Sequence, residues 1–223
     1  MKKGLTEVVF ILDRSGSMGG LESDTIGGFN SMLNKQKNEE GEAIISTLLF
    51  DDNCEVLHDR LEIGSVDPMT TEQYYVRGCT ALLDAVGGAI HHIGKLHKHM
   101  AEEDVPEKTV FIITTDGMEN SSHNYTYEKV RTMIEKKKEK KGWEFLFLGA
   151  NIDAVKEAGK FGISANRAVN YKCDSMGTAK NYGAISQTVS LIRNTVAEDL
   201  GSDEYEASFG KCLKDVKEYY EKN

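Results

Sequence analysis

The sequence predicts an α/β fold: a three-layer sandwich with a mostly parallel central sheet, one antiparallel edge strand and flanking helices, in the manner of Rossmann-like folds. Three observations predict it. Short apolar runs rich in β-branched and aromatic residues alternate with segments of helical period. Those runs are continuously apolar rather than alternating, as expected of strands buried on both faces. The chain has 223 residues, a length that α/β folds fill as one unit with a core large enough to need no staples.

Each element follows in order. Glu7 to Leu12 (EVVFIL) reads as the first buried strand. Thr25 to Asn38 carries a helix, with Ile26, Phe29, Met32 and Leu33 on one side. Ala43 to Phe50 is the second strand. Asp51-Asp52-Asn53 is turn chemistry, and a third strand starts at Cys54. That pair reads as a hairpin, which makes one strand antiparallel. Gly64 to Gly78 is an irregular connection containing Pro68. Leu82, Val86, Ala89, Ile90, Ile93 and Leu96 form the apolar stripe of a strong helix. Thr109 to Thr114 is the next buried strand. Tyr127 to Lys140 is a helix whose lysine-rich end suits the negative end of the helix dipole. Glu144 to Leu148 is a strand, Ala154 to Lys160 a short helix and Ala168 to Tyr171 a short edge strand. Ile185, Val189, Ile192 and Val196 mark a further helix, and Phe209 to Tyr219 another. Residues 172–182 read as the most flexible connection. The whole, 1–223, is expected to be one domain, with a core over about 6–170 and a C-terminal helical part over about 178–220.

Composition narrows the function classes. The net charge is −9, which disfavours broad binding to nucleic acid or to anionic membrane, since both need clustered Lys and Arg. No apolar run approaches the ~20 residues of a membrane span, and the run at Val8–Leu12 is too short for an export signal. Cys54, Cys79, Cys173 and Cys212 are widely spaced with no CxxC pattern, so free thiols and a cytoplasmic location are expected.

Three short segments carry the chemistry. Asp13-Arg14-Ser15-Gly16-Ser17-Met18 directly follows the first strand. Gly78-Cys79-Thr80-Ala81-Leu82 precedes the strongly apolar helix. Thr114-Thr115-Asp116-Gly117 directly follows the strand Thr109 to Thr114. In an open α/β sheet, ligands bind beyond the carboxyl ends of strands where strand order reverses, and two of these segments leave such ends. Together they offer two carboxylates and three hydroxyls, with no histidine or thiolate. These hard oxygen donors suit Mg²⁺ or Mn²⁺. Two carboxylates do not fill an octahedron, so waters and an outside oxygen complete it.

The pattern D-x-S-x-S, then Thr in G-x-T-x-L, then D-G after a buried strand resembles the von Willebrand factor A family over about residues 6–170. In its D-x-S-G-S-M form it is most similar to intracellular and bacterial members. That resemblance implies an α/β sandwich with a complete metal-ion-dependent adhesion site. Ser15, Ser17 and Thr80 would then bind the metal through hydroxyl oxygens, and Asp13 and Asp116 directly or through waters. It also implies a partner protein whose acidic residue supplies the last ligand. The helix around Ile185 to Val196 would be the counterpart of the C-terminal helix that moves in some members.

Each signal has a plainer reading. Asp13, Ser15 and Ser17 alone suit a helix cap or Asx turn, and Asp116-Gly117 alone a turn. Gly117 and Asn120 read as loop-shaping residues. His91, His92, His97 and His99 lack the i, i+4 spacing of paired ligands and read as a solvated flank. Lys136 to Lys141 reads as a solvated helix end, with an acidic partner or phosphate as the sharper alternative. Trp143 and Tyr74-Tyr75 suit either a contact surface near the Thr80 loop or core packing. The resulting expectation is a non-enzymatic, metal-dependent protein-binding module. The alternative is a regulatory or structural subunit of a larger assembly, such as an AAA+ ATPase machine, with a stabilising or vestigial metal site. A metal-dependent phosphatase-like enzyme is the third: dehalogenase-like phosphatases need D-x-D where this chain has Ser15, and no Walker A, GxGxxG or nucleophile elbow is present.

Overall fold

The computed structural model describes Met1–Lys222. Six strands form one sheet: β1 (Lys2–Asp13), β2 (Ala43–Phe50), β3 (Cys54–Glu62), β4 (Pro106–Thr115), β5 (Glu144–Gly149) and β6 (Ala168–Asn170). Their order is β3-β2-β1-β4-β5-β6. Every neighbour pair is parallel except β2 with β3, the antiparallel edge hairpin. Seven α-helices flank the sheet among the described residues: α1 (Glu22–Lys37), α2 (Leu82–His99), α3 (Tyr127–Lys141), α4 (Ala154–Lys160), α5 (Ser175–Asn194), α6 (Asp203–Cys212) and α7 (Lys214–Lys222).

The two-residue period of the central strand divides the core. Val8, Phe10 and Leu12 of β1 pack under α1, α5, α6 and α7, where Phe29, Ile185, Phe209 and Val216 meet them. Val9 and Ile11 face the other way, under α2, α3 and α4, with Val86, Ile90, Ile134 and Ala158. A strand covered on both faces has no polar side to show, so its sequence is one apolar run. Each buried Leu, Ile or Phe contributes ~1.5–3 kcal/mol of transfer free energy.

The end of α5 is pinned by two buried cations. Lys108 on β4 donates from Nζ to the carbonyls of Ile192, Arg193 and Thr195 at 2.7–2.9 Å. Arg193 donates to the carbonyl of Gln36 in the last turn of α1 and to those of Glu40 and Gly41 beyond it. Both satisfy the orphan carbonyls that helix ends leave.

Some expectations change. Residues 172–182 are not a flexible connection: α5 begins at Ser175, capped by the Asp174 carboxylate accepting from the Gly177 N–H at 2.7 Å. Phe209 to Tyr219 is not one helix but the end of α6 and most of α7, which meet at the buried Leu213. β1 starts earlier than Glu7, running from Lys2 through an irregularity at Gly4, whose φ is +75°. Trp143 and Tyr74 are core residues, while Tyr75 is exposed.

Candidate metal centre

β1 ends at Asp13 beside the end of β4, because Leu12 is in register with Thr114. This is the point where strand order departs in both directions from the centre. Asp13 Oδ1 accepts the Ser15 N–H at 2.7 Å, an Asx turn that bends the chain out of the strand. Its Oδ2 accepts the Thr115 hydroxyl at 2.6 Å. The Tyr74 hydroxyl donates to the Asp13 carbonyl at 2.6 Å. Gly16 N–H donates to the Gly78 carbonyl at 3.1 Å and so draws the Thr80 loop against the Asp13 loop.

The five predicted residues come together. Thr80 Oγ1 donates to Ser15 Oγ at 3.1 Å, Ser15 Oγ lies 3.0 Å from Ser17 Oγ, and the Ser17 hydroxyl donates to Asp116 Oδ1. Asp13 joins this chain through the Ser15 amide. Asp13, Ser15, Thr80 and Asp116 are buried, whereas Ser17 is exposed, so the cluster opens to solvent on the Ser17 side. Gly117 keeps the packing close: a Cβ there would lie 3.0 Å from Thr80 Oγ1 and 3.2 Å from Ser17 Oγ.

Supporting contacts hold the Thr80 loop. Thr80 N–H donates to Asn120 Oδ1 at 2.9 Å, and Asn120 N–H returns a bond to the Thr80 carbonyl at 3.1 Å. Glu119 accepts the Leu83 N–H at the start of α2, at 2.8 Å. Asp84, also in that first turn, accepts the amides of His123, Asn124 and Tyr125. Burial alone would raise its carboxyl. These three bonds carry it below the ordinary range instead.

The two site carboxyls shift the other way. Burial pushes Asp13 up, against the hydrogen bonds from Thr115 and Ser15 that favour its charged form. Burial pushes Asp116 up to about 6, and the nearby Asp13 charge adds to it. Two desolvated carboxylates bonded only by hydroxyls, amides and a thiol form a site whose charge a cation would balance. The donor set is all hard oxygen and fits Mg²⁺ or Mn²⁺. It contains two carboxylates, and among the described residues no group of three or more His, Cys, Asp or Glu converges. The histidines of α2 in particular go elsewhere: His92 to Asp59 at 3.0 Å, His97 to the buried Glu7, and His99 to the Lys95 carbonyl.

Three contributors escaped the sequence reading. Thr115, which orients Asp13, is adjacent to Asp116 and carries a hydroxyl, a signal that was present. Cys173 lies with Sγ 3.8 Å from Asp116 Oδ2, and Tyr74 arrives from the irregular connection; neither has a local signature. A neighbouring cluster also emerges. Arg14, fully buried, donates from Nε to Asp51 Oδ2 at 2.8 Å and from an Nη to Glu55 at 2.8 Å. Arg77 donates from Nε to the same Asp51 oxygen at 2.7 Å.

No protein-family model matches the sequence, and no curated protein matches it. Solved structures do. The vWF domain of the type V pili tip protein Mfa5 from Porphyromonas gingivalis superposes with a TM-score of 0.57 at 11% identity, covering 83% of this chain and 95% of that one. Proximal thread matrix protein 1 of the mussel byssus, in a structure with a zinc-occupied MIDAS (metal-ion-dependent adhesion site) motif, gives 0.56 at 15%, over 84% of this chain and 46% of that one. A von Willebrand factor type A protein from Catenulispora acidiphila gives 0.52 at 14%, over 81% and 41%. The chain therefore spans about half the length of the mussel protein. At these identities the likeness is one of fold, and the chain adopts the architecture of a von Willebrand A domain.

Proposed function

We propose that this chain is a metal-dependent protein-binding module and not an enzyme. The observation that carries the reading is the convergence of Asp13, Ser15, Ser17, Thr80 and Asp116 at one solvent-facing opening on the carboxyl edge of the sheet. A divalent ion, Mg²⁺ or Mn²⁺, would supply a hard Lewis-acid centre at this cluster. Ser15, Ser17 and Thr80 contribute neutral oxygens. Asp13 and Asp116 contribute the charge, and Thr115 fixes the Asp13 rotamer through its 2.6 Å bond. Asp13 and Asp116 would bind directly or through waters, and an acidic side chain of a partner protein would complete the set. The neighbour with a zinc-occupied site supports divalent-metal use by this fold.

The surroundings support binding over catalysis. The site itself has no histidine, and its nearest thiol donates to Asp116. The net charge of −9 supports a protein partner rather than nucleic acid. The exposed free cysteines Cys54 and Cys79 support a reducing, cytoplasmic setting, and no helix among the described residues is long and apolar enough to cross a membrane.

The test is a Mn²⁺ titration into millimolar metal, read by thermal melting and by electron paramagnetic resonance. Wild type runs beside Ser15→Ala/Ser17→Ala and Asp116→Ala. The wild type alone binds, gains about 2.7 kcal/mol at a hundredfold excess over Kd, and releases Mn²⁺ to Mg²⁺. Equal binding by all three proteins, or none by any, removes the reading.

A further inference from the structure

A second surface stands apart from the metal centre. α2 has 18 residues, about 27 Å at 1.5 Å per residue. Thr80 and the carboxylates sit at its N-terminal end. At the other end, the C-terminal halves of α2 and α3 enclose a groove of about 390 Å³. His91, Lys95 and Lys98 wall it from α2 at i, i+4 and i+7, and Lys136 and Lys137 from α3, three and four residues after Met133, spacings that bring side chains to one helix face. Met133, half-buried over the core residue Ile90, forms an apolar floor.

No carboxylate lines this groove, and none of its four lysines is held in an ion pair among the described residues. In a chain of net charge −9, that is a local reversal of sign. Lys137 is the most constrained: its Nζ lies 4.2 Å over the Trp143 ring. Gly94 makes room for it, since a Cβ there would come within 2.5 Å of that Nζ. Burial lowers the Lys137 ammonium, and Lys141 and Lys136 lower it further, so a nearby negative charge relieves an existing repulsion.

The chemistry of the walls selects among anions. Lysine ammoniums take carboxylate and phosphate alike, so the selection comes from what surrounds the charges: no backbone N–H cluster or arginine fork adds directional phosphate contacts, and the apolar lysine stems and Met133 suit an occupant that carries apolar side chains beside its charges. This groove lies at the carbonyl ends of two helices and contains no arginine. Bases of nucleic acid need an open aromatic face, and Trp143 is buried. What remains is point-charge ammoniums on flexible stems above an apolar floor with one adaptable methionine. We propose that the α2–α3 groove is a second docking site, which takes an acidic, partly apolar segment of a partner protein, with carboxylates on Lys95, Lys98, Lys136 and Lys137 and an apolar side chain on Met133 and the lysine stems. The site does not depend on the metal centre.

Fluorescence anisotropy with a short fluorescein-labelled peptide of glutamate and leucine tests it. Wild type binds the peptide, and the glutamine–leucine counterpart does not bind. Lys95→Gln/Lys136→Gln weakens binding about tenfold, the sum of two exposed ion pairs. Met133→Gln weakens it about threefold at unchanged charge. Raising ionic strength weakens it further. Asp116→Ala in chelator leaves affinity unchanged. Melting curves check that each variant is folded. The proposal is overturned if wild type does not bind the peptide, or if the double lysine variant binds as wild type does. Loss of binding in Asp116→Ala overturns it too, by placing the peptide at the carboxylates. So does tripolyphosphate bound in a way the peptide cannot displace, which makes the occupant a phosphate compound.

Discussion

Asp51 and the Asp13–Asp116 pair are buried within one strand of each other, yet they are neutralised by opposite means. Asp13 is in register with Phe50, so Asp51 is the next residue on the adjacent strand end. Asp51 has two guanidiniums, from Arg14 and Arg77, on a single oxygen. Burial alone would raise its carboxyl, but Arg77, the Asn53 amide and Arg14 carry it below the ordinary range. Asp13 and Asp116 have hydroxyls and a thiol in those places, and their carboxyls are raised. Arg14 lies between Asp13 and Ser15 in sequence and turns away from them, to Asp51 and Glu55. The fold therefore supplies cations to the structural carboxylate and withholds them from the pair that opens to solvent. A buried charge left without a protein cation is a cost that a bound metal ion offsets.

The largest effect comes from breaking the paired cluster. Arg14→Ala leaves Asp51 buried with only the half-exposed Arg77 and removes the largest fully buried side chain. Loss of one partner of a buried pair costs about 3–5 kcal/mol. Urea unfolding should report that loss with or without Mn²⁺. A variant as stable as wild type would mean the Asp51 cluster does not bear on folding.

The unpaired cluster should respond in the opposite sense. Asp116 has a folded-state pKa of about 6 against 3.8 for the free residue. Between those values the folded chain binds more protons than the unfolded one. Metal-free stability therefore falls as pH rises through that window. Asp116→Asn removes this dependence. Without metal it should melt with wild type near pH 4, and above it at pH 7, by on the order of 1–2 kcal/mol. Saturating Mn²⁺ should reverse the ranking at pH 7, because only wild type is stabilised, and Mn²⁺ affinity should weaken as pH drops below 6. If Asp116→Asn is the less stable protein at pH 7 without metal, the carboxylate is structural and the contrast with Asp51 fails.

One side of this contrast, the strands and the cluster at Asp13 and Asp116, was legible in the sequence; the Asp51 side was not, and the reason is physical. The strands were readable because a two-faced strand must be apolar throughout, as in Val8 to Leu12. The five residues that converge were readable because each sits at a strand end or helix start, where local sequence fixes position. What was not readable depends on long-range register. That Arg14 turns to Asp51 follows from β1 lying beside β2, and that Tyr74 and Cys173 reach the site follows from the paths of two loops. The start of α5 was missed because Ser175-Met176-Gly177 looks like a loop, and its cap comes from Asp174. Helix capping by Asp was a signal available there, outweighed by Gly and Ser composition.

The smallest effect sharpens the contrast at the level of single atoms. The hydroxyls of Thr80 and Ser17 matter to the proposed site only if their positions do. Gly117→Ala places a methyl 3.0 Å from Thr80 Oγ1 and 3.2 Å from Ser17 Oγ, while Gly16→Ala, in the same site, meets only the Gly78 carbonyl at 3.4 Å. The first requires the hydroxyls to give by a few tenths of an ångström; the second is ordinary contact. Neither glycine has a left-handed φ, so backbone strain does not enter. Gly117→Ala should therefore reduce Mn²⁺ affinity about threefold, with a stability change under ~1 kcal/mol, and Gly16→Ala should leave affinity unchanged. The Mn²⁺ resonance signal measures both. Equal affinity in the two variants would show that metal is not held through these hydroxyls, and would leave the carboxylates as the only ligands.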